Sequence, residues 1–205
     1  SLPLESLVTH SLRTDPVAAR ESLARTSLTL ADFAQLISPA AGGLLETMAS
    51  RSQALTRQRF GKTIRLFAPL YLSNECINNC KYCGFSRDNP ILRVTLSVEE
   101  VMREARSLAA EGFRNILLVA GEHPKFVSNG YLAECVAALH AEWPGISLEV
   151  GPMETEEYRP LTAAGADGLV VYQETYDRAI YDDLHTAGNH APAPLHRAGH
   201  QLPER

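Results

Sequence analysis

The alternation of short apolar runs with amphipathic segments constrains the fold of this 205-residue chain more than any other feature. Four apolar runs are followed by helical patterns, at residues 64–72, 116–120, 146–150 and 168–173. Strands and helices that alternate at this spacing predict right-handed βαβ units and a parallel sheet. Because a closed (β/α)8 barrel needs about 250 residues, we predict an α/β fold with about the first four βα units of a barrel.

A helix is predicted after each of these four apolar runs. Ser97 and Glu100 form a capping-box pattern before an amphipathic run. Pro160 falls inside the predicted helix 155–164, so we expect that helix to start late or to be kinked. After the last apolar run, a further helix is predicted over residues 176–184. Cys135 lies among apolar neighbours on the predicted helix 129–142, and this setting is typical of an inert core thiol.

Residues 1–61 are predicted to form an N-terminal helical extension. The first fifteen residues show no clear pattern, whereas residues 15–60 are helical in character. Thr29 and Asp32 form a capping-box pattern, and Pro39 can open the next helix. No chemistry is assigned to this extension.

Composition and charge exclude several classes of function. The formal net charge is −5 and no basic run occurs, which argues against a nucleic-acid surface. No run reaches the roughly 18 apolar residues of a membrane span, and no signal-peptide pattern opens the chain. Three of the four cysteines belong to a single motif, which is typical of a reducing compartment. We therefore predict a cytoplasmic protein that binds neither membranes nor nucleic acid.

The three clustered cysteines, Cys76, Cys80 and Cys83, have the spacing C-x3-C-x2-C. Soft thiolate ligands select iron–sulfur clusters and zinc. A structural zinc ion needs four protein ligands, so a zinc site would require a distant histidine as well. A four-iron cluster held by three cysteines instead keeps one iron open to a small molecule. Unrelated buried thiols are a third alternative, and we favour the [4Fe–4S] cluster.

Polar residues follow each predicted strand at the same end of the predicted sheet. The cysteines come after the first strand and Glu122 after the second. Glu149 closes the third strand, and Gln173 and Glu174 close the fourth. In parallel-barrel enzymes the chemistry lies in the loops at the carboxyl ends of the strands. We therefore expect the site at this end.

The cysteine spacing, with aromatic Tyr82 before the third cysteine, resembles that of the radical S-adenosylmethionine (SAM) enzymes. Within them, several segments resemble the tyrosine lyases of thiazole biosynthesis: residues 55–61, 69–74, 121–123 and 171–176. This resemblance implies a radical SAM (β/α) barrel over residues 62–188. It also implies that the three cysteines hold three irons, while SAM chelates the fourth.

The resemblance also suggests roles for four further residues. Glu122 is expected to accept hydrogen bonds from the SAM ammonium, or else to be a solvated loop carboxylate. Tyr82, with Phe85, packs against adenine or simply covers the cluster. Gln173 and Glu174 contact the SAM ribose or the substrate, unless they only form a polar strand end.

The implied activity is cleavage of the Cα–Cβ bond of L-tyrosine to 2-iminoacetate (dehydroglycine) and p-cresol, for the thiazole moiety of thiamine. The implied partners are a one-electron reductant and the thiazole synthase subunit. One alternative is the related tyrosine lyase of [FeFe]-hydrogenase maturation. Others are a radical SAM enzyme with another substrate, and an inactive truncated fragment that retains only the cluster site.

Residues 189–205 depart from the family pattern. They are rich in proline and histidine and have no periodicity, so we expect a disordered tail, as a frameshift near Gly188 would produce. Four histidines occur near this end, and we interpret them as products of the shifted frame rather than as a metal site: His185, His190, His196 and His200.

Overall fold

The computed structural model describes residues 2–171 and 174–189. They form two compact units, one up to Ile64 and one from Arg65 onward. Residues 190–205, which make up nearly all of the predicted tail, lie outside the described part of the chain. No helix in the described ranges is long and apolar enough to cross a membrane.

The first unit is helical. Its elements are α1 (Leu4–Arg13), α2 (Pro16–Ala24), α3 (Leu30–Leu36), a 3-10 helix (Pro39–Leu44) and α4 (Leu45–Phe60). The expectation that the first fifteen residues have no pattern is wrong, because α1 forms there and packs on α3. Its apolar residues recur at helical spacing, which explains the helix: Leu4, Leu7, Val8 and Leu12. Pro39 opens the 3-10 helix rather than an α-helix.

Asp32 connects α2 and α3 within this unit. The predicted capping box is confirmed, since the Thr29 backbone N–H donates to the Asp32 carboxylate at 2.8 Å. The same carboxylate accepts from the Ser22 hydroxyl at 2.7 Å and pairs with Arg25 at 2.9 Å. Hydrogen bonds from Thr29 and Ser22 lower the pKa of Asp32 from 3.8 to about 2.

The second unit is built on a parallel sheet, as predicted. In chain order its elements are β1 (Ala68–Ser73), β2 (Asn79–Cys80), α5 (Val98–Ala110), β3 (Asn115–Ala120), α6 (Asn129–His140), β4 (Gly145–Glu149), α7 (Thr155–Ala164), β5 (Gly168–Leu169), α8 (Arg178–Leu184) and β6 (His185–Ala187). Strands β1, β3, β4 and β5 lie side by side in that order, and every pair is parallel.

The core of this unit explains its register. Alternate residues of β1, β3 and β4 are buried against α5 and α6. The helices contribute the buried side chains of Val101, Val136 and Leu139 to this core. The strand residues in this core are Leu70, Leu72, Ile116, Leu118, Ile146 and Leu148. A one-residue slip would turn all of them away from the helices. The carboxyl ends of the strands, and the loops after them, are thereby held together.

Several predicted boundaries differ from the structure. The first strand begins at Ala68, because pairing with β3 starts there and Ile64 is exposed. The fourth strand is limited to Gly168–Leu169, although the Val170 N–H still donates to the Leu148 carbonyl at 2.8 Å. Helix α8 starts after its N-cap Asp177 rather than at residue 176.

Helix α7 also differs from the expectation of a late start. It begins at Thr155, with a capping box between Glu154 and Glu157. Pro160 lies inside the helix, where it gives up one backbone hydrogen bond. The capping box stabilises the first turn of the helix and thereby offsets part of that loss.

Candidate metal centre

The three predicted ligands lie on one segment that follows β1, residues 74–89, which is called the cysteine loop. Cys80 is buried, while Cys76 and Cys83 are partly exposed. Burial, together with the neighbouring charges of Cys83 and Cys76, raises the pKa of the Cys80 thiol to about 11. A bound metal deprotonates a coordinating thiol outright, which compensates for this raised pKa.

The separation of potential ligands bears on which metal fits. Within residues 2–171 and 174–189, no three His, Cys, Asp or Glu side chains stand close enough to share one metal ion. A structural zinc site gathers four ligands at about 2.0–2.3 Å from one ion. In a [4Fe–4S] cluster each cysteine binds a different iron, so the thiolates stand further apart. Three soft thiolates are a donor set that suits an iron–sulfur cluster, whereas a structural zinc site would need a fourth protein ligand.

The cysteine loop packs directly on the end of β3. The Gly121 N–H donates to the Ser73 carbonyl at 2.9 Å, and the Ile77 N–H donates to the Glu122 carbonyl at 2.8 Å. A Cβ atom at Gly121 would overlap the carbonyl oxygen of Glu75 and lie 3.2 Å from Cys76 Cβ. Only glycine permits this approach, which brings Glu122 beside the cysteines.

Glu122 is held by two amide side chains. Asn78, which is 1% exposed and lies between the first two cysteines, donates from Nδ2 to Glu122 Oε2 at 2.7 Å. Asn189 donates from its Nδ2 to Glu122 Oε1. A carboxylate has about four acceptor positions, and these two amides donate to one oxygen each. Glu122 is partly buried.

Tyr82 is connected to a buried histidine. Its hydroxyl lies 2.8 Å from His185 Nε2, and His185 Nδ1 lies 2.8 Å from the Tyr181 carbonyl oxygen. Because a carbonyl can only accept, Nδ1 carries the proton and Nε2 accepts from Tyr82 in the neutral ring. His185 is 1% exposed and stacks on the Tyr181 ring, with 3.9 Å between ring centroids.

This placement corrects the interpretation of His185 as one of four unstructured histidines. The residue belongs to β6, which pairs antiparallel with β2 in the cysteine loop. Two further contacts join the same segments: the Lys81 N–H donates to the Leu184 carbonyl, and Thr186 Oγ1 donates to the Asn79 carbonyl, both at 2.9 Å. The other three histidines lie outside the described residues.

The end of β5 is only partly described. The charge of Glu174 is the smallest of the contributions to the raised pKa of Cys80. Gln173, predicted with it, lies outside the described residues. Tyr82, predicted to pack on adenine or to cover the cluster, is about half exposed.

Two residues that shape the loop, Asn89 and Arg93, were not predicted from the sequence. Asn89 Nδ2 donates to the carbonyls of Cys83 and Gly84 at 3.1 and 3.0 Å. Arg93 donates to carbonyls on both sides of the cysteines. A signal was present for Arg93, because it interrupts the apolar residues 91–94 outside any helix. Asn89 carries no comparable signal.

Comparison with known proteins identifies the family. The Radical SAM superfamily matches residues 70–195. The 2-iminoacetate synthase of Escherichia coli (strain K12) is 45% identical over 167 residues, which are 82% of this chain and 44% of that protein. The 2-iminoacetate synthase of Salmonella typhimurium is 45% identical over 157 residues, covering 77% of this chain and 42% of that protein. The chain thus spans less than half the length of these relatives.

A solved structure agrees with this assignment. The crystal structure of HydG, a maturase of the [FeFe]-hydrogenase, superposes with a TM-score of 0.81 at 26% identity, covering 92% of this chain and 44% of that one. The shared fold confirms the predicted partial radical SAM barrel. Radical SAM proteins and 2-iminoacetate synthases use a [4Fe–4S] cluster and SAM, which the thiols of the cysteine loop fit. The match to the Radical SAM superfamily covers well over half of the residues of this chain, and the chain therefore belongs to that superfamily.

Proposed function

We propose that this chain binds a [4Fe–4S] cluster and SAM and belongs to a lyase that cleaves the Cα–Cβ bond of L-tyrosine. The observation that carries the proposal is the packing of the cysteine loop against Gly121 and Glu122. It brings three thiols and a carboxylate together at the carboxyl ends of β1 and β3. In parallel barrels this is the end where chemistry is carried out.

The residues have separate tasks in this proposal. Cys76, Cys80 and Cys83 hold three irons, and Glu122 accepts hydrogen bonds from the SAM ammonium. When bound and reduced, the cluster supplies the electron that cleaves the SAM sulfonium and so starts the radical chemistry. Tyr82 packs against adenine or covers the cluster, and its hydroxyl is held by His185. Glu174 and Gln173 contact the SAM ribose or the substrate.

Tyrosine is proposed as the substrate on the basis of sequence similarity. Identity to the 2-iminoacetate synthase of E. coli is 45%, whereas identity to HydG is 26%. This difference favours the thiazole lyase over the lyase of hydrogenase maturation. The products would be 2-iminoacetate and p-cresol.

The partners follow from the chemistry. A one-electron reductant must supply the cluster. The imine product hydrolyses quickly in water, which favours direct transfer to the thiazole synthase subunit. Thiolate ligands need a reducing compartment, so we place the protein in the cytoplasm.

The product assay tests this function. Protein reconstituted without oxygen is incubated with dithionite, SAM and L-tyrosine, and p-cresol and 5′-deoxyadenosine are measured by chromatography. We expect both products, and neither from Cys80→Ser. Formation of 5′-deoxyadenosine without p-cresol would reject tyrosine as the substrate. Absence of both from protein that carries its cluster would support the inactive-fragment alternative.

A further inference from the structure

Arg93 donates hydrogen bonds to five backbone carbonyls around the cysteine loop. Its Nη1 donates to the carbonyls of Asn74 and Phe85, at 2.6 and 2.9 Å. Its Nη2 lies within hydrogen-bond distance of three more carbonyl oxygens: those of Ser86 (2.6 Å), Arg87 (3.2 Å) and Asn89 (3.3 Å). Asn74 lies two residues before the first cysteine and Phe85 two residues after the third. One guanidinium therefore joins both ends of the segment that carries all three thiols.

Arginine suits this position for a geometric reason. A guanidinium is planar and presents its donors in a fixed fork, whereas a lysine ammonium places three donors on one nitrogen. A single ammonium cannot reach carbonyls that two separate nitrogens of Arg93 contact. The five carbonyl oxygens also carry partial negative charges that would repel one another without a cation between them.

The backbone around residue 93 is fixed independently of its side chain. Asn74 Nδ2 donates to the Leu92 carbonyl at 2.8 Å, and the Val94 N–H donates to Asn74 Oδ1 at 2.7 Å. The Ser73 and Thr95 hydroxyls lie 2.8 Å apart, and the Leu96 N–H donates to the Leu72 carbonyl. A change of the Arg93 side chain should therefore loosen the loop, while residues 92–96 keep their position beside β1.

We propose that Arg93 is a positioning residue that preorganises the cysteine loop for its cluster before the metal arrives. The inference rests on the proposed function only in that the ligand of the loop is a [4Fe–4S] cluster. Arg93 acts through backbone carbonyls of the loop, so it shapes the thiol arrangement rather than binding iron. Preorganisation lowers the ordering entropy that cluster binding would otherwise cost.

Hydrogen exchange of the metal-free protein tests the preorganisation directly. The variants are Arg93→Lys and Arg93→Ala, and the matched control is Arg87→Lys, whose exposed side chain pairs with Asp88. We expect the amides of Cys83, Ser86 and Arg87, which are hydrogen-bonded within the loop, to exchange at least about tenfold faster in both Arg93 variants (about 1.4 kcal/mol). Exchange in α6 should stay unchanged, and Arg87→Lys should match the unaltered protein.

Cluster retention and chemical rescue separate positioning from a general structural role. After reconstitution, we expect a chelator to remove iron about tenfold faster from Arg93→Lys, and we expect its reduced EPR signal to be broader. Added ethylguanidinium should slow iron loss from Arg93→Ala, whereas ethylammonium should not. These changes should occur with the far-UV spectrum of the protein unaltered.

Three results would overturn the proposal: unaltered loop exchange, unaltered cluster retention, or faster exchange that extends through α6, since the role would then be one of global stability. Failure of the unaltered protein to take up iron and sulfide would instead reject the proposed function. In that case the exchange experiment on metal-free protein would still decide the role of Arg93.

Discussion

At the residue scale, the contact between Asn78 and Glu122 joins the two halves of the proposed site. Asn78 belongs to the cysteine motif, while Glu122 lies 44 residues further on, after β3. The sequence predicted Glu122 as a candidate because a carboxylate after a strand end is a recognisable pattern. It did not predict Asn78, because the burial of an amide and the direction of its donor depend on tertiary packing.

Substitution of Asn78 should weaken SAM binding. Asn78→Ala removes a hydrogen bond to a charged carboxylate, which is worth about 1.5–3 kcal/mol, so we expect the Kd for SAM to rise by about tenfold or more. Asn78→Asp places two carboxylates together and should have a larger effect. Titration of the reduced protein with SAM, followed by EPR, measures both. The control is Asn129→Ala, since the Asn129 amide contacts the Glu157 carbonyl at the surface. Unaltered SAM affinity in Asn78→Asp would contradict this account.

At the scale of elements, the junction of β3 with the cysteine loop depends on the missing side chain at Gly121. Secondary structure around it was predictable: the Ser97–Glu100 capping box and the buried runs of β3 and β4 appear as expected. The pair β2–β6 was not predicted, because strands of two and three residues have no periodicity to detect. Close approach of two backbones likewise leaves no trace in sequence beyond the glycine itself.

Gly121→Ala should displace the loop. The new Cβ would overlap the Glu75 carbonyl oxygen, and overpacking of this kind costs about 1–3 kcal/mol. We expect lower iron content per chain after reconstitution and a lower free energy of unfolding in urea. The control Gly130→Ala adds a Cβ 3.8 Å from Ser128 Oγ, an ordinary contact. If Gly121→Ala carries as much iron as the control, the close approach does not govern the site.

The helical unit should lose stability in acid through Asp32. Its pKa falls from 3.8 to about 2 in the folded state, so its contribution is present above about pH 4 and is lost as the pH falls toward 2. Asp32→Asn should remove this part of the pH dependence. Urea unfolding followed by circular dichroism at pH 5, 4, 3 and 2 compares the two proteins. If the free energy of unfolding depends on pH in the same way in both proteins over this range, Asp32 is not responsible for the loss of stability in acid.

At the scale of the whole molecule, two units are described, and the candidate site belongs to the second. The parallel order β1-β3-β4-β5 and the position of the cysteines at its carboxyl end were predictable, because hydrophobic patterns and βαβ handedness determine both. The internal support of the loop was not predicted: Arg93 stands out among apolar neighbours, but the carbonyls that Arg93 and Asn89 contact depend on tertiary packing. The fold was therefore easier to predict than the side-chain hydrogen bonds that support the cysteine loop.

The most direct test of the account is the metal content and EPR spectrum of protein purified and reconstituted without oxygen. We predict about four iron and about four sulfide per chain, and a reduced signal that changes when SAM is added. Cys76→Ser, Cys80→Ser and Cys83→Ser should each lose the cluster. Zinc in place of iron, absence of sulfide, or a spectrum that SAM leaves unaltered would contradict a three-cysteine cluster with one open iron.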